Sequence, residues 1–273
     1  KSSVKLVRAF LTYVVLILAA LILLFPLFFA LSVALQGDTI TPHLLPNMAN
    51  LDVSIFVRVL IQQPDLIRWI INSFVVSSLV TVGVLITSSL AAYAFATLDF
   101  WGKSIFFIIA LGTLMIPFEA TIVPNFLLIS RLGWNDSYQA LVAPFLASGF
   151  GIFLLRQYFL TIPRELYEAA RLDGCGRTRY LWSFLVPLST PALATLGLYT
   201  FLATWNQFYW PLLVTDTTEW RTTQVGITIF HSSEVQILNM QMAATLIILI
   251  PTLIPLVLGQ RQLVRGLTAG ILK

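Results

Sequence analysis

The residues best suited to specific polar chemistry are concentrated in one segment, Pro163 to Pro187. It reads PRELYEAARLDGCGRTRYLWSFLVP, and together with Arg156 just before it the segment holds five of the sixteen lysines and arginines. Glu168 and Arg171 are three residues apart, which places them on one face of a helix. Carboxylates and guanidinium groups in this arrangement suit docking onto a soluble protein partner. An ordinary amphipathic loop at a membrane surface is the open alternative.

Two short helices joined at a glycine must position these side chains. Pro163 is acceptable at an early helix position, because its missing N–H is not needed there. Glu165 lies in the first turn, where the helix dipole favours an anion. Gly174 and Gly176 then break the first helix. The second helix carries an apolar stripe of Leu181, Phe184 and Leu185. The sequence therefore predicts a helix–glycine–helix elbow outside the bilayer, over about residues 161–188.

Glu119 is an ionisable residue in an apolar stretch that Pro117 interrupts. A charge at the bilayer centre costs about 2.5–3.5 kcal/mol on insertion scales, so such a group faces a cavity or partner, or reaches back to the surface. With the stretch starting at Ser104, Glu119 would lie roughly 22 Å along it, towards the outer half. A translocation-path role and a surface role both stay open. Asn125 would lie higher on the same path.

A polar and aromatic cluster follows the fifth apolar stretch. Aromatic faces could stack on sugar rings while amides offer hydrogen bonds, which would suit a carbohydrate path. Tryptophan and tyrosine are also enriched as anchors at membrane interfaces, and that interpretation stays open. The candidate residues are Trp205, Asn206, Gln207 and Tyr209.

The sequence contains no pattern for a metal or a nucleotide. Cys175 is the single cysteine, and the two histidines, His43 and His231, are far apart. No G-x-x-x-x-G-K-[ST] loop is present to hold phosphates. We therefore expect no cofactor on this chain and no catalytic activity of its own.

Composition identifies an integral membrane protein. Only 10% of the 273 residues are charged, against roughly 25% in soluble domains. Uncharged stretches long enough to cross a bilayer recur along the chain. They predict an all-α fold of six transmembrane helices in a single domain covering residues 1–273. The predicted spans are 9–36, 69–98, a third from Ser104 that is interrupted near Pro117, 137–155, one within 188–214, and 240–259.

The distribution of basic residues predicts the orientation. With both termini inside, twelve lysines and arginines lie in inner segments and four in outer loops, which satisfies the positive-inside rule. The segment Pro163–Pro187 is then cytoplasmic. The first stretch could also be a signal peptide, but it is longer than the apolar region of one and no cleavage site follows it.

Four stretches resemble the permease subunits of ABC importers. Glu168-Ala169-Ala170, Gly174 and Pro187 match the spacing of the EAA loop of that family, with Phe184 and Val186 where the motif has Ile and Leu. The stretch WNQFYWPL (205–212) is similar to the WNxxxWPL of carbohydrate importers. The tail RGLTAG (265–270) resembles the end of the second permease of maltose-type importers, and almost the whole chain fits that subunit. The stretch LMIPFEATIVP resembles glycerol-3-phosphate and sugar importers.

This resemblance implies a mechanism. The elbow would be the coupling helix, held in a cleft on a cytoplasmic ATPase subunit, and ATPase closure would rock the permease pair between inward-open and outward-open states. Glu168 would make polar contacts, Ala169 and Ala170 would allow close approach, and Gly174 would form the turn. The remaining residues implied on the ATPase side are Arg171, Asp173, Leu267, Thr268 and Gly270.

The resemblance also implies partners and a location. We expect a second permease subunit, two ATPase subunits that bind ATP and Mg²⁺, an extracytoplasmic solute-binding protein and membrane lipid, with no nucleic acid. The location would be the plasma membrane of a bacterium or archaeon. The alternative class is an ion-coupled secondary transporter of a small polar solute, which often shows paired intramembrane charges and internal repeats. A channel or a membrane enzyme has less support, since no nucleophile–base pair or metal cluster lies at membrane depth.

Overall fold

The computed structural model describes residues 2–36, 51–232 and 238–268, with the side chains of 7–36, 51–228, 238–257 and 259. Regular structure in these residues is helical throughout, which confirms the all-α class. The α-helices in chain order are α1 Ser2–Ala34, α2 Ile55–Gln62, α3 Asp65–Thr97, α4 Lys103–Gly112, α5 Phe118–Arg131, α6 Tyr138–Val142, α7 Gly149–Phe159, α8 Arg164–Leu172, α9 Arg177–Tyr180, α10 Val186–Leu188, α11 Thr190–Trp205, α12 Tyr209–Val214, α13 Thr223–Ser232 and α14 Leu238–Thr268.

The chain forms two compact units. The first comprises residues 1–64 and 227–250, and the second comprises 65–226 and 251–273. The prediction of a single domain over residues 1–273 remains a prediction.

In the second unit, α3 is the central helix and packs along α7 and α11. Its 33 residues carry no charge after Arg68, and its buried face alternates valine with small hydroxyl residues such as Ser73, Ser77 and Ser88. Small residues let helix backbones approach closely in lipid. Gly151 of α7 lies so close to Ser88 that an added Cβ would collide with the serine side chain. The close packing of these helices therefore depends on small side chains at their contacts.

Three of the predicted spans are continuous helices and three are bent. Val7–Ala34, Asp65–Thr97 and Leu238–Val257 are each long and apolar enough to cross a membrane. The other candidates are helix pairs that bend by 99° between α4 and α5, by 47° between α6 and α7, and by 81° at the start of α11. Six spans result only when each bent pair is counted as one.

The bend between α4 and α5 corrects the predicted course of the third span. A 3₁₀ turn follows α4, and Ile116 is extended (φ −86°, ψ 113°), as expected for a residue before proline. Glu119 therefore lies in the first turn of α5, so the straight rise of 22 Å does not apply. The helix α5 continues through Asn125 to Arg131.

In the fourth predicted span, serine caps mark the starts of two separate helices. Ser137 caps α6 by accepting from the Ala140 N–H at 3.3 Å, and Ser148 caps α7 by accepting from the Gly151 N–H at 3.0 Å. The fifth span, predicted within 188–214, contains α11, which ends at Trp205, and the shorter α12, which starts at Tyr209.

Hydrogen bonds to backbone fix the loop after α12 against α3. The side-chain amide of the buried Asn72 donates to the carbonyls of Glu219 (2.8 Å) and Arg221 (3.0 Å). Its oxygen accepts from the Tyr138 hydroxyl at 2.8 Å. The Trp69 indole N–H donates to the Thr218 carbonyl at 2.8 Å. Asn72 thereby uses both side-chain amide hydrogens and its oxygen, as a buried amide requires.

In the first unit, Asp52 organises the start of α2. Its carboxylate accepts from the Ser54 hydroxyl (2.5 Å) and the Ser54 N–H (3.0 Å), and it pairs with Arg58. The hydrogen bond from the Ser54 hydroxyl, with help from Arg58, lowers the pKa of Asp52 below its ordinary range. The helix α2 is thus held by a carboxylate at its N-terminal side.

Candidate functional site

Backbone hydrogen bonds define the turn that follows α8 in the predicted elbow. After α8, the Gly174 N–H donates to the Arg171 carbonyl at 3.0 Å and the Cys175 N–H donates to the Ala170 carbonyl at 2.9 Å. These two bonds form a Schellman motif, in which the residue after the C-cap is left-handed. Gly174 supplies that conformation with φ +77°, which other residues adopt only at a cost. The predicted turn at Gly174 therefore has a defined backbone geometry.

One face of α8 and the turn after it are exposed. Glu168, Ala169, Arg171 and Asp173 all present their side chains to the surroundings. The most exposed large apolar side chain of this region is Leu172, at 89%. Sequence reasoning missed Leu172, although a leucine between the charged residues Arg171 and Asp173 was a usable signal. The exposed face therefore combines carboxylates, a guanidinium group and one apolar side chain.

Ala170 lies on the opposite face and is buried. Only 7% of it is exposed, and it belongs to the hydrophobic core cluster of the second unit. The expected role of Ala170 in the close approach of a partner stays a prediction, and its side chain packs in the core of this unit. Its methyl group faces inward because residues 170 and 168 are separated by about 200° around a helix of 3.6 residues per turn. Ala169 is exposed, and its expected role stays a prediction.

Aromatic rings fix the buried face of the elbow. Tyr180, at the end of α9, is 2% exposed. Its ring centroid lies 4.9 Å from Tyr167 of α8, 5.8 Å from Phe184 and 6.4 Å from Tyr93 of α3. Such separations fall within the range of favourable aromatic pairs. The cluster connects both arms of the elbow to the central helix.

The start of α8 is held more loosely. A cavity of about 390 Å³ lies there, lined among others by Asp99, Lys103, Arg164 and Tyr167. Asp99 pairs with Lys103 at 3.5 Å and with Arg164 at 3.9 Å. Arg164 and Asp99 are largely exposed, and exposed ion pairs contribute about 0–1 kcal/mol. The elbow is thus anchored mainly through Ala170 and Tyr180.

A second cavity, of about 320 Å³, lies within the second unit at the start of α5. Asn125 of α5 and Gln207 after α11 line it, so the structure brings together two of the predicted path residues. Thr121, Thr200 and Thr204 line it as well. Sequence reasoning missed these threonines, because single hydroxyl residues within apolar helices are common.

The other predicted path residues lie elsewhere. Trp205 is 1% exposed and stacks on Phe201 with 5.9 Å between ring centroids, so it packs in the interior. Asn206 donates to the Leu202 carbonyl at 2.8 Å, and Tyr209 is 67% exposed. Glu119 is exposed. None of these four belongs to the lining of the 320 Å³ cavity.

The predicted tail residues are only partly described. Leu267 and Thr268 lie in the last turn of α14, and the structure describes their backbone alone. Gly270 lies outside the described residues. Their expected contact with an ATPase therefore stays a prediction.

Comparisons with known proteins agree on one family. Residues 83–268 match the model for "binding-protein-dependent transport system inner membrane component". The chain is 38% identical to the sn-glycerol-3-phosphate transport system permease protein UgpE of Yersinia enterocolitica, over 93% of this chain and 94% of that one. The UgpE protein of Escherichia coli O1:K1 is 37% identical, over 94% of each chain.

A solved structure supports the fold. A chain of a bacterial ABC transporter involved in the import of the acidic polysaccharide alginate matches with a TM-score of 0.81 and 24% identity, covering 93% of this chain and 96% of that chain. The resemblance seen in the sequence motifs is confirmed: the chain belongs to the family of inner membrane components of binding-protein-dependent transport systems.

Proposed function

We propose that this chain is one of two permease subunits of an ATP-driven importer, and that its elbow transmits the movement of a cytoplasmic ATPase to the membrane helices. The observation that carries this proposal is the geometry of the elbow, in which a Schellman motif forms the turn after α8. Glu168 and Leu172 are exposed there, while Ala170 and Tyr180 are buried. A rigid turn with a mixed polar and apolar outer face suits a protein partner. Central apolar anchors surrounded by polar groups are typical of protein interfaces.

Transmission follows from the packing of the elbow. Tyr180 contacts Tyr167 in one arm and lies beside Tyr93 in α3. Closely packed side chains shift as a unit, so displacement of the elbow is passed to α3 and to the helices that pack along it. When two ATPase subunits close on ATP, the elbow moves with them. The paired permeases then change from inward-open to outward-open.

The orientation and the partners belong to the same proposal. The excess of lysine and arginine on one side supports a cytoplasmic location for both termini and the elbow. A second permease, two ATPase subunits that hold ATP and Mg²⁺, and an extracytoplasmic binding protein complete the importer in the inner membrane of a bacterium or archaeon. This chain itself binds no nucleotide and catalyses no reaction.

The relatives indicate the class of solute. Two of them are named for sn-glycerol-3-phosphate transport, and the solved relative takes part in alginate import. We propose a solute of the sugar or glycerol-phosphate class. The two classes share a hydroxylated carbon chain and differ in charge.

Purification through an affinity tag on this chain tests the proposed subunit composition of the complex. The complex is extracted from its native membrane and analysed by native mass spectrometry. One copy of this chain, one second permease and two ATPase subunits are expected. This chain alone, or a dimer without ATPase subunits, would overturn the proposal.

Energy dependence provides the second test. Uptake of sn-glycerol-3-phosphate and of neutral sugars is followed in vesicles. ATP depletion should abolish uptake, while an ionophore that collapses ion gradients should leave it intact when ATP is supplied. The reverse pattern would favour the ion-coupled secondary transporter.

A further inference from the structure

The cavity of about 320 Å³ in the second unit is lined by both polar and apolar residues, and none of its described lining residues is charged. Two helices supply polar groups one turn apart: Thr121 and Asn125 on α5, and Thr200 and Thr204 on α11. Residues four apart share a helix face. Ser148, Tyr199 and Gln207 complete the polar lining. The volume lies at the small end of the range for ligand pockets, about 300–1,000 Å³.

Several of these groups have unused hydrogen-bonding capacity. The Thr121 hydroxyl donates to the Phe118 carbonyl at 2.8 Å, which leaves its oxygen free to accept. Within the described part of the chain, the side chains of Asn125, Thr204 and Gln207 make no hydrogen bond. Each amide offers two donors and one acceptor oxygen, and each hydroxyl can both donate and accept. A ligand with several hydroxyl groups would match this set.

The lining argues against an anion. No aspartate, glutamate, lysine, arginine or histidine is among the described residues that line the cavity. A phosphate group away from water requires cationic partners, for which arginine and lysine are the usual residues. Phe118 and Phe145 lie in the same wall with 5.4 Å between ring centroids. Their apolar surface suits the C–H face of a sugar or polyol.

We infer that this cavity is a solute subsite for the uncharged, polyhydroxylated part of the transported molecule. This inference rests on the proposed importer function and makes it more specific. Asn125, Thr204 and Gln207 would hydrogen-bond the hydroxyl groups. A phosphate on the solute would be held outside this cavity.

Transport by the complete complex provides one test. Asn125→Leu and Gln207→Leu keep the approximate size of the side chain and remove its hydrogen bonds. Each should raise the solute concentration for half-maximal uptake about three- to tenfold. Gln139→Leu is the matched control, because Gln139 is exposed and does not line the cavity. The control should behave as wild type.

Thiol protection provides a binding readout that does not depend on transport. In a Cys175→Ser background, which has no other cysteine, Thr204→Cys is labelled with a small water-soluble thiol reagent in the complex. Glycerol or maltose should slow the labelling, and inorganic phosphate at equal concentration should not. Thr195→Cys, on the same helix but outside the lining, should show no protection.

The outcomes separate the two proposals. A wild-type complex without ATP-driven uptake would overturn the importer function, and the subsite with it. Normal uptake in wild type together with unchanged half-maximal concentrations in both leucine variants would overturn the subsite alone. Protection of Thr204→Cys by phosphate as strong as by the neutral polyols would also overturn it.

Discussion

The backbone N–H of Cys175 donates to the carbonyl oxygen of Ala170 at 2.9 Å, across the left-handed Gly174. This bond joins the only cysteine of the chain to a buried alanine of the EAA sequence. It fixes the angle at which the chain leaves α8. The direction of the second arm is therefore set by local backbone chemistry as well as by packing.

Gly174→Ala should destabilise the elbow by about 1–2 kcal/mol, because φ +77° is unfavourable for an L-residue with a Cβ. Gly176→Ala is the matched control. Neither glycine has an atom within 4 Å of an added Cβ, but only Gly174 has a positive φ. ATP-driven uptake should fall in the first variant and stay near wild type in the second. Equal uptake in the two variants would contradict the role of the left-handed turn.

Gly174→Arg should abolish uptake while the protein is still inserted in the membrane. The added side chain extends into open space, so it does not disturb the core, but it combines backbone strain with bulk at the docking surface. Quantitative membrane fractionation checks insertion, and vesicle uptake checks transport. Uptake near the wild-type rate would show that the elbow is not the coupling element.

Leu172→Ala should weaken the association with the ATPase subunits about tenfold or more. Burying a leucine side chain contributes about 1.5–3 kcal/mol, and 1.4 kcal/mol corresponds to a factor of ten. Thermal stability of the isolated chain should not change, since the side chain is 89% exposed. Leu132→Ala, at a leucine that is 49% exposed outside the elbow, is the control. Co-purification at a series of ATPase concentrations measures the effect, and identical titrations for both variants would contradict it.

Tyr180→Ala should lower the free energy of unfolding by about 3–5 kcal/mol, as for other large-to-small changes of buried aromatic residues. Tyr180→Phe keeps the ring contacts with Tyr167, Phe184 and Tyr93 and should be close to neutral. Thermal unfolding in detergent distinguishes the two variants. If Tyr180→Phe were as destabilising as the alanine variant, the hydroxyl group and not the ring packing would carry the stability.

Asn72→Leu should destabilise the second unit by about 2–4 kcal/mol, because three hydrogen bonds are lost and two loop carbonyls lose their partner. Tyr138→Phe removes only one of these bonds and should cost about 1 kcal/mol. Protease cleavage within residues 215–222 should become faster in the first variant. Unchanged cleavage would show that other contacts hold the loop.

The class of the protein and the turn at Gly174 could be predicted because both depend on local sequence. Low charge and long apolar stretches predict membrane helices, and glycine after a charged helix predicts a left-handed end. The inward face of Ala170 was not predicted. The EAA motif alone does not show which of its two alanines faces the core, whereas the helical register of α8 does.

The bends and the cavity could not be read from local sequence. Pro117 indicates an interruption but not an angle of 99°, since that angle depends on the packing of both helices. Asn125 and Gln207 are 82 residues apart in the chain, and they line one cavity because α5 packs against α12, which begins two residues after Gln207. Trp205 looked like a path residue, yet the turn after α11 leaves it in the interior.

The Schellman closure has a consequence for how such importers diversify. Its two hydrogen bonds involve only backbone atoms, so they require glycine at 174 and place little demand on the neighbouring side chains. Outward positions such as Glu168, Ala169 and Leu172 can then change without altering the shape of the turn. Substitution at these few positions would be enough for a permease subunit to change the ATPase subunit that it binds. It would equally allow several permease subunits to bind the same ATPase subunit.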